Sequence, residues 1–182
     1  MTQRHFAGAA AAFAVLLTLI LPAAGFENTG VPDPDPDPAW RDAGSLDDLA
    51  AVLDDWLDAN SDYPRNPAPL SIEIADPITI AMNPSVASSF GTRTRGLYDH
   101  EAGRIYLIAP WSRKDALDVS VLLHELVHHR QIARHWYCPA AQEPDAYTFQ
   151  QAWLAERGLE ADIDRVTIVL AAGCTPRDIH PD

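Results

Sequence analysis

The chain has 182 residues, 47% of them hydrophobic and 21% charged, with 13 basic against 26 acidic side chains and a formal net charge of −13. So large an apolar fraction excludes intrinsic disorder, and the length suits one domain able to bury its own core. The acidic balance opposes both the phosphate backbone of nucleic acids and the anionic face of membranes, so neither is expected as a partner.

Residues 1–25 carry Arg4 and His5, an apolar run from Phe6 to Leu21, and then Pro22-Ala23-Ala24-Gly25, the three-part layout of a secretory signal peptide. About 15 apolar residues fall short of the roughly 20 that cross a bilayer. Small side chains at Ala23 and Gly25 place cleavage before Phe26. The mature chain is therefore expected in the periplasm or outside the cell, with no membrane span. Residues 26–44 follow as a Pro/Asp-rich leader, in which the alternation from Pro32 to Pro38 suits neither helix nor sheet and predicts a stiff, solvated spacer. Residues 45–182 are expected to form a single domain.

Within that domain Ser45 has the pattern of a helix cap, and Leu46, Leu49, Leu53, Trp56 and Leu57 recur at helical spacing to about Ala59. Leu70 to Ile74 alternates like a strand. Tyr63 to Pro69 and Asn83 to Thr94 read as loops. Leu97-Tyr98, a turn around Asp99 to Gly103, and Arg104 to Ile108 predict a hairpin. Asp115 to about Arg134 is apolar on most faces and predicts a central buried helix. A helix from Pro144 to Arg157 stops at Gly158, and a last one spans Glu160 to Ala172. Trp136 and Trp153 are expected in the core. Export implies an oxidising compartment, and Cys138 and Cys174 are expected to form one disulfide, closing a loop of 37 residues. Such a bridge contributes about 4 kcal/mol in the chain-entropy model.

The chemistry is carried by His124-Glu125-Leu126-Val127-His128. Residues four apart share a helical face, so both imidazoles can bind one Zn2+ ion. Glu125 lies about 100° around the helix, from which its carboxylate can serve as general base towards a water activated by the metal. With 7 His and 7 Glu in the chain, a chance match arises roughly once in a hundred such sequences. Two His and a Glu on an otherwise apolar helix would also be costly without a task. His135 cannot complete the site, because a continuous helix puts it about 16 Å from His124. The HExxHxxGxxH form fails as well, since Gln131 and Arg134 occupy its Gly and last His positions. Glu143, at the start of the following helix, is the preferred third ligand, and Asp145 the weaker candidate.

His124-Glu125-Leu126-Val127-His128, Glu143 on a second helix, and a strand ahead of the first helix resemble the gluzincin zinc metallopeptidases, most closely their small single-domain members. The resemblance spans roughly Gly96 to Gly158. It implies an α+β, zincin-like domain: a short mixed or antiparallel sheet with an edge strand beside a central HExxH helix, packed on further helices. It implies that the strand Arg104 to Ile108 lines the cleft, with Arg104, Ile105, Tyr106 and Leu107 pairing to an extended peptide. It also implies an Asp four residues after Glu143 to support a zinc-bound His, where this chain has Tyr147. An oxyanion donor is sought among Tyr147, Tyr137, His135 and His100, with Tyr147 preferred. His129 is read as a neighbour on another face. The expectation is a monomeric, secreted zinc peptidase acting on a peptide or protein, with His124, His128 and Glu143 as ligands and Glu125 as base. The rivals are hydrolysis of a non-peptide amide, such as one in the cell wall, and a zinc-holding scaffold with little turnover. The general base beside an open metal position argues against the scaffold.

Overall fold

The computed structural model describes residues 35, 38–87, 94–134, 136, 138–161, 166, 168 and 169. The signal segment lies outside them, as does most of the helix expected over 160–172, of which residues 166, 168 and 169 are described as helical. The described residues belong to one unit, Pro32–Asp182. A short helix, α1 (Ala39–Asp42), carries Trp40, which is 2% exposed and meets the Trp153 ring edge-on at 5.6 Å. Within the leader assigned to residues 26–44, Trp40 thus packs on the domain, because an indole is too large an apolar surface to leave in water when a core aromatic can cover it.

Ser45 accepts a hydrogen bond from the Asp48 amide and starts α2 (Leu46–Asn60), whose Leu49, Leu53, Trp56 and Leu57 are buried while Asp47, Asp48, Asp55 and Asp58 are exposed. After β1 (Ser71–Ala75), Asp76 caps and Pro77 opens α3 (Pro77–Ala81). This short helix falls between the predicted strand and loop, and only its Asp-Pro start marks it. The hairpin forms as expected from β2 (Gly96–Asp99) and β3 (Arg104–Ile108), turning through Gly103 at φ 61°. Asp115 caps α4 (Ala116–Gln131), and a 3-10 turn (Pro139–Gln142) leads directly into α5 (Glu143–Ala155). The central helix ends three residues earlier than predicted.

The sheet order is β1-β3-β2, with β1 parallel and β2 antiparallel to β3. Arg104, Ile105, Tyr106 and Leu107 therefore lie on the central strand, and the expected edge position is wrong. Their backbone groups are already paired with Ser71 to Ile74 on one side and with Gly96 to Asp99 on the other, which leaves no ladder for a peptide to join. The strand at the edge beside α4 is β2. Ile105 and Leu107 face the main core of α2, α4 and α5, whereas Tyr106 and Ile108 face a smaller cluster with Ile80 and Val86. The class is α+β, with a small mixed sheet and several helices.

Helix α5 covers α4 more extensively than any other element does. Gln150 Nε2 donates to Ser120 Oγ at 2.9 Å near one end, and Gln131 Nε2 donates to Gln142 O at 3.0 Å at the other. The two helices consequently run antiparallel, and the first residue of α5 returns to the His-bearing turns of α4. Arg130, fully buried, ties α4 to α2 by donating to Asp54 Oδ1 and to the carbonyls of Asp54 and Tyr63.

Candidate metal centre

His124 and His128 stand one turn apart on the α4 face that meets α5, both side chains about nine-tenths buried. Their Nε2 atoms are 3.0 Å apart. Glu143 bridges them, with Oε2 3.3 Å from His124 Nε2 and Oε1 3.4 Å from His128 Nε2. Zinc–ligand bonds of about 2.0–2.1 Å set the edges of a tetrahedron at about 3.3–3.4 Å. The two Glu143 distances, each to a different carboxylate oxygen, match that value and the His–His distance falls below it; one ligand atom from each residue lies within 4.8 Å of the others, and the three are the group of this kind found among the described residues. Two imidazole nitrogens turned towards each other and a carboxylate at this range call for a positive charge between them. Without a metal, protons meet that need: burial opposes charging His128, but the Glu143 hydrogen bond and the charges of Glu125 and Glu143 prevail and push it up to about 9. Burial would raise Glu143, yet hydrogen bonds from His124 and His128 hold it well below the usual carboxylate range. Asp145, the weaker ligand candidate, is engaged elsewhere, accepting from the Tyr63 hydroxyl at 2.5 Å.

Residues 42–182 match the family described as Domain of unknown function (DUF6647). The chain belongs to this family. No curated protein and no solved structure matches it. The DUF6647 match contains every element from α2 to α5 and all of the residues gathered at the site.

In this DUF6647 domain Glu125 is buried next to the two His but outside their ligand set, and burial raises its carboxyl above the usual range. Strand β2 passes so close that a Cβ on Gly96 would fall 2.6 Å from Glu125 Oε1 and 2.7 Å from Val121 Cγ1. Tyr147, one turn after Glu143, lays its ring against His124 at 4.4 Å between centroids. It thus packs on the imidazole where the family resemblance leads one to expect a hydrogen-bonding Asp. His129 is buried on another face, its Nδ1 2.9 Å from the Tyr98 hydroxyl and its carbonyl accepting from Asn66 Nδ2 at 2.9 Å. His100 is exposed in the β2–β3 turn, while His135 and Tyr137 lie outside the described residues. Cys138 is buried, and its expected partner Cys174 is also outside them. Trp153 is in the core as expected, and Trp136 packs at its margin, donating to Gln131 O at 3.0 Å.

Two residues at the DUF6647 site escape the sequence reading. Gln131 makes a 2.9 Å hydrogen bond with His128 Nδ1, and its i+3 spacing from that His was the available signal. Gly96 had none, because its role depends on which strand lies over α4.

Proposed function

We propose that the chain is a zinc-dependent hydrolase, with His124, His128 and Glu143 holding the ion, Glu125 as general base and a peptide as the substrate. The observation that carries the reading is the convergence of His124 Nε2, His128 Nε2 and the Glu143 carboxylate within reach of one ion, beside a second buried acidic side chain, Glu125, that is not one of the three. A zinc ion bound there supplies a Lewis acid and lowers the pKa of a bound water. Glu125, in its buried setting, has the raised proton affinity that suits a group accepting a proton and returning it to a leaving amine. Tyr147 and the apolar wall of α4 keep bulk water from His124. An extended substrate finds its backbone partner in β2, whose outer edge is unpaired among the described residues and whose Gly96 lies against Glu125.

The test is the zinc content and peptide cleavage of residues 26–182, compared with Glu125→Gln and Glu143→Ala. We expect about one zinc per chain, kept in Glu125→Gln and lost or weakened in Glu143→Ala, with cleavage abolished in both. Zinc retained in full by Glu143→Ala would displace the third ligand. Bound zinc without cleavage of any peptide would favour a non-peptide amide or a scaffold.

A further inference from the structure

Gln131 is fully buried, and each end of its amide meets one arm of the site. Its Nε2 donates to the carbonyl of Gln142, the peptide unit that leads into Glu143, at 3.0 Å. Only the NH2 end can form that bond, so the end facing His128 Nδ1 at 2.9 Å is the oxygen. An amide oxygen has no hydrogen to give, and the shared proton therefore sits on Nδ1. In a neutral imidazole the lone pair is then on Nε2, the atom that faces His124 and Glu143.

We propose that Gln131 is the positioning residue of the metal site, holding His128 in its Nδ1–H form so that its Nε2 lone pair faces the ion. The inference rests on the zinc reading above. The bond to Gln142 O fixes which end of the amide meets the imidazole. His124 is held differently. Its Nδ1 is buried without a hydrogen-bond partner among the described residues, and Tyr147 fixes the ring by packing alone. Orientation by hydrogen bonding is thus concentrated on His128, which makes Gln131 the more sensitive point. Loss of such a partner lowers metal affinity about 10- to 100-fold.

Zinc affinity, measured by competition with a chromophoric chelator, separates this role from a merely structural one when Gln131→Met is set beside Gln131→Glu. The Met variant removes both bonds at similar volume, while the Glu variant keeps an acceptor for His128 Nδ1–H and loses the donor to Gln142. We expect affinity to fall about 10- to 100-fold in Gln131→Met and to stay within about threefold in Gln131→Glu. A long-range proton–nitrogen spectrum of the zinc-loaded protein should show His128 protonated at Nδ1 in the unmutated and Glu forms. Equal losses in both variants, tracking urea stability, would overturn the proposal, as would undiminished affinity in Gln131→Met. If Gln131→Met fails to fold, a tenfold loss in Gln131→Glu overturns it and retention upholds it. Failure of the unmutated protein to bind zinc would overturn both this proposal and the zinc reading. Zinc binding without cleavage would overturn only the hydrolytic part of that reading and leave Gln131 to be judged by affinity.

Discussion

At Gly96 a strand backbone comes within contact distance of Glu125, and the absence of a side chain is what permits it. A methyl group there would collide with both the carboxylate and Val121, so Gly96→Ala should displace Glu125 while leaving His124, His128 and Glu143 in place. A misplacement of about 1 Å costs roughly 100-fold in rate. The expected outcome is therefore a cleavage rate lowered by about that factor with zinc content unchanged; equal rates would show that Glu125 does not need this alignment. His128 sets a second expectation. Its raised pKa, about 9 in the metal-free fold against an ordinary 6.5, means that its protonated form stabilises that fold fully below about 6.5 and ceases to do so as pH rises through 9. Zinc must displace the same proton. Apparent zinc affinity should climb about tenfold per pH unit towards pH 9 and level off beyond it, with about one proton released per zinc at pH 7.5 in calorimetry across buffers. The His pair was legible in the sequence because four-residue spacing is a local property of a helix. The role of Gly96 was not, because it depends on a neighbour brought in by the sheet.

Among the elements, α4 is held from three sides: by α5 through Glu143 and Gln131, by β2, and by α2 through Arg130. The last contact is the most polar, with a buried guanidinium donating to two carbonyls and to the carboxylates of Asp54 and Asp58. Arg130→Met fills a similar volume but leaves those acceptors unmatched, and should lower stability by about 2–4 kcal/mol in urea unfolding while the folded fraction still binds zinc. A loss under 1 kcal/mol would mean that water replaces the guanidinium. Helix α2 and the hairpin could be read from their periodicity. The place of β3 in the sheet could not be read from alternation, which reports a strand but not how many neighbours it has. A subtler sign was present: Ile105-Tyr106-Leu107-Ile108 is apolar without interruption, as suits a strand covered on both faces. Its parallel partner β1 begins 33 positions earlier, and no local pattern announces such a pairing. Helix α3, at five residues, is too short for helical periodicity to register.

For the molecule as a whole, length and composition were enough to indicate one globular domain, and the motif was enough to select the helix around which it is arranged. The antiparallel return of α5 brings Glu143, the acid singled out at the start of that helix, to the two His. What escaped was the inner limit of the N-terminal leader, since Trp40 finds its ring partner 113 positions away at Trp153. That contact anchors the inner end of the leader together with Asp35, which accepts from Trp40 Nε1 at 2.7 Å and pairs with Arg157 Nε at 3.3 Å. A protease nibbling inward from the N-terminus meets the domain at Asp35, and to pass Trp40 it must pull an indole off Trp153. The tryptophan pair is thus a ratchet stop: it sets how far the leader can be worn away before the helices behind it begin to loosen.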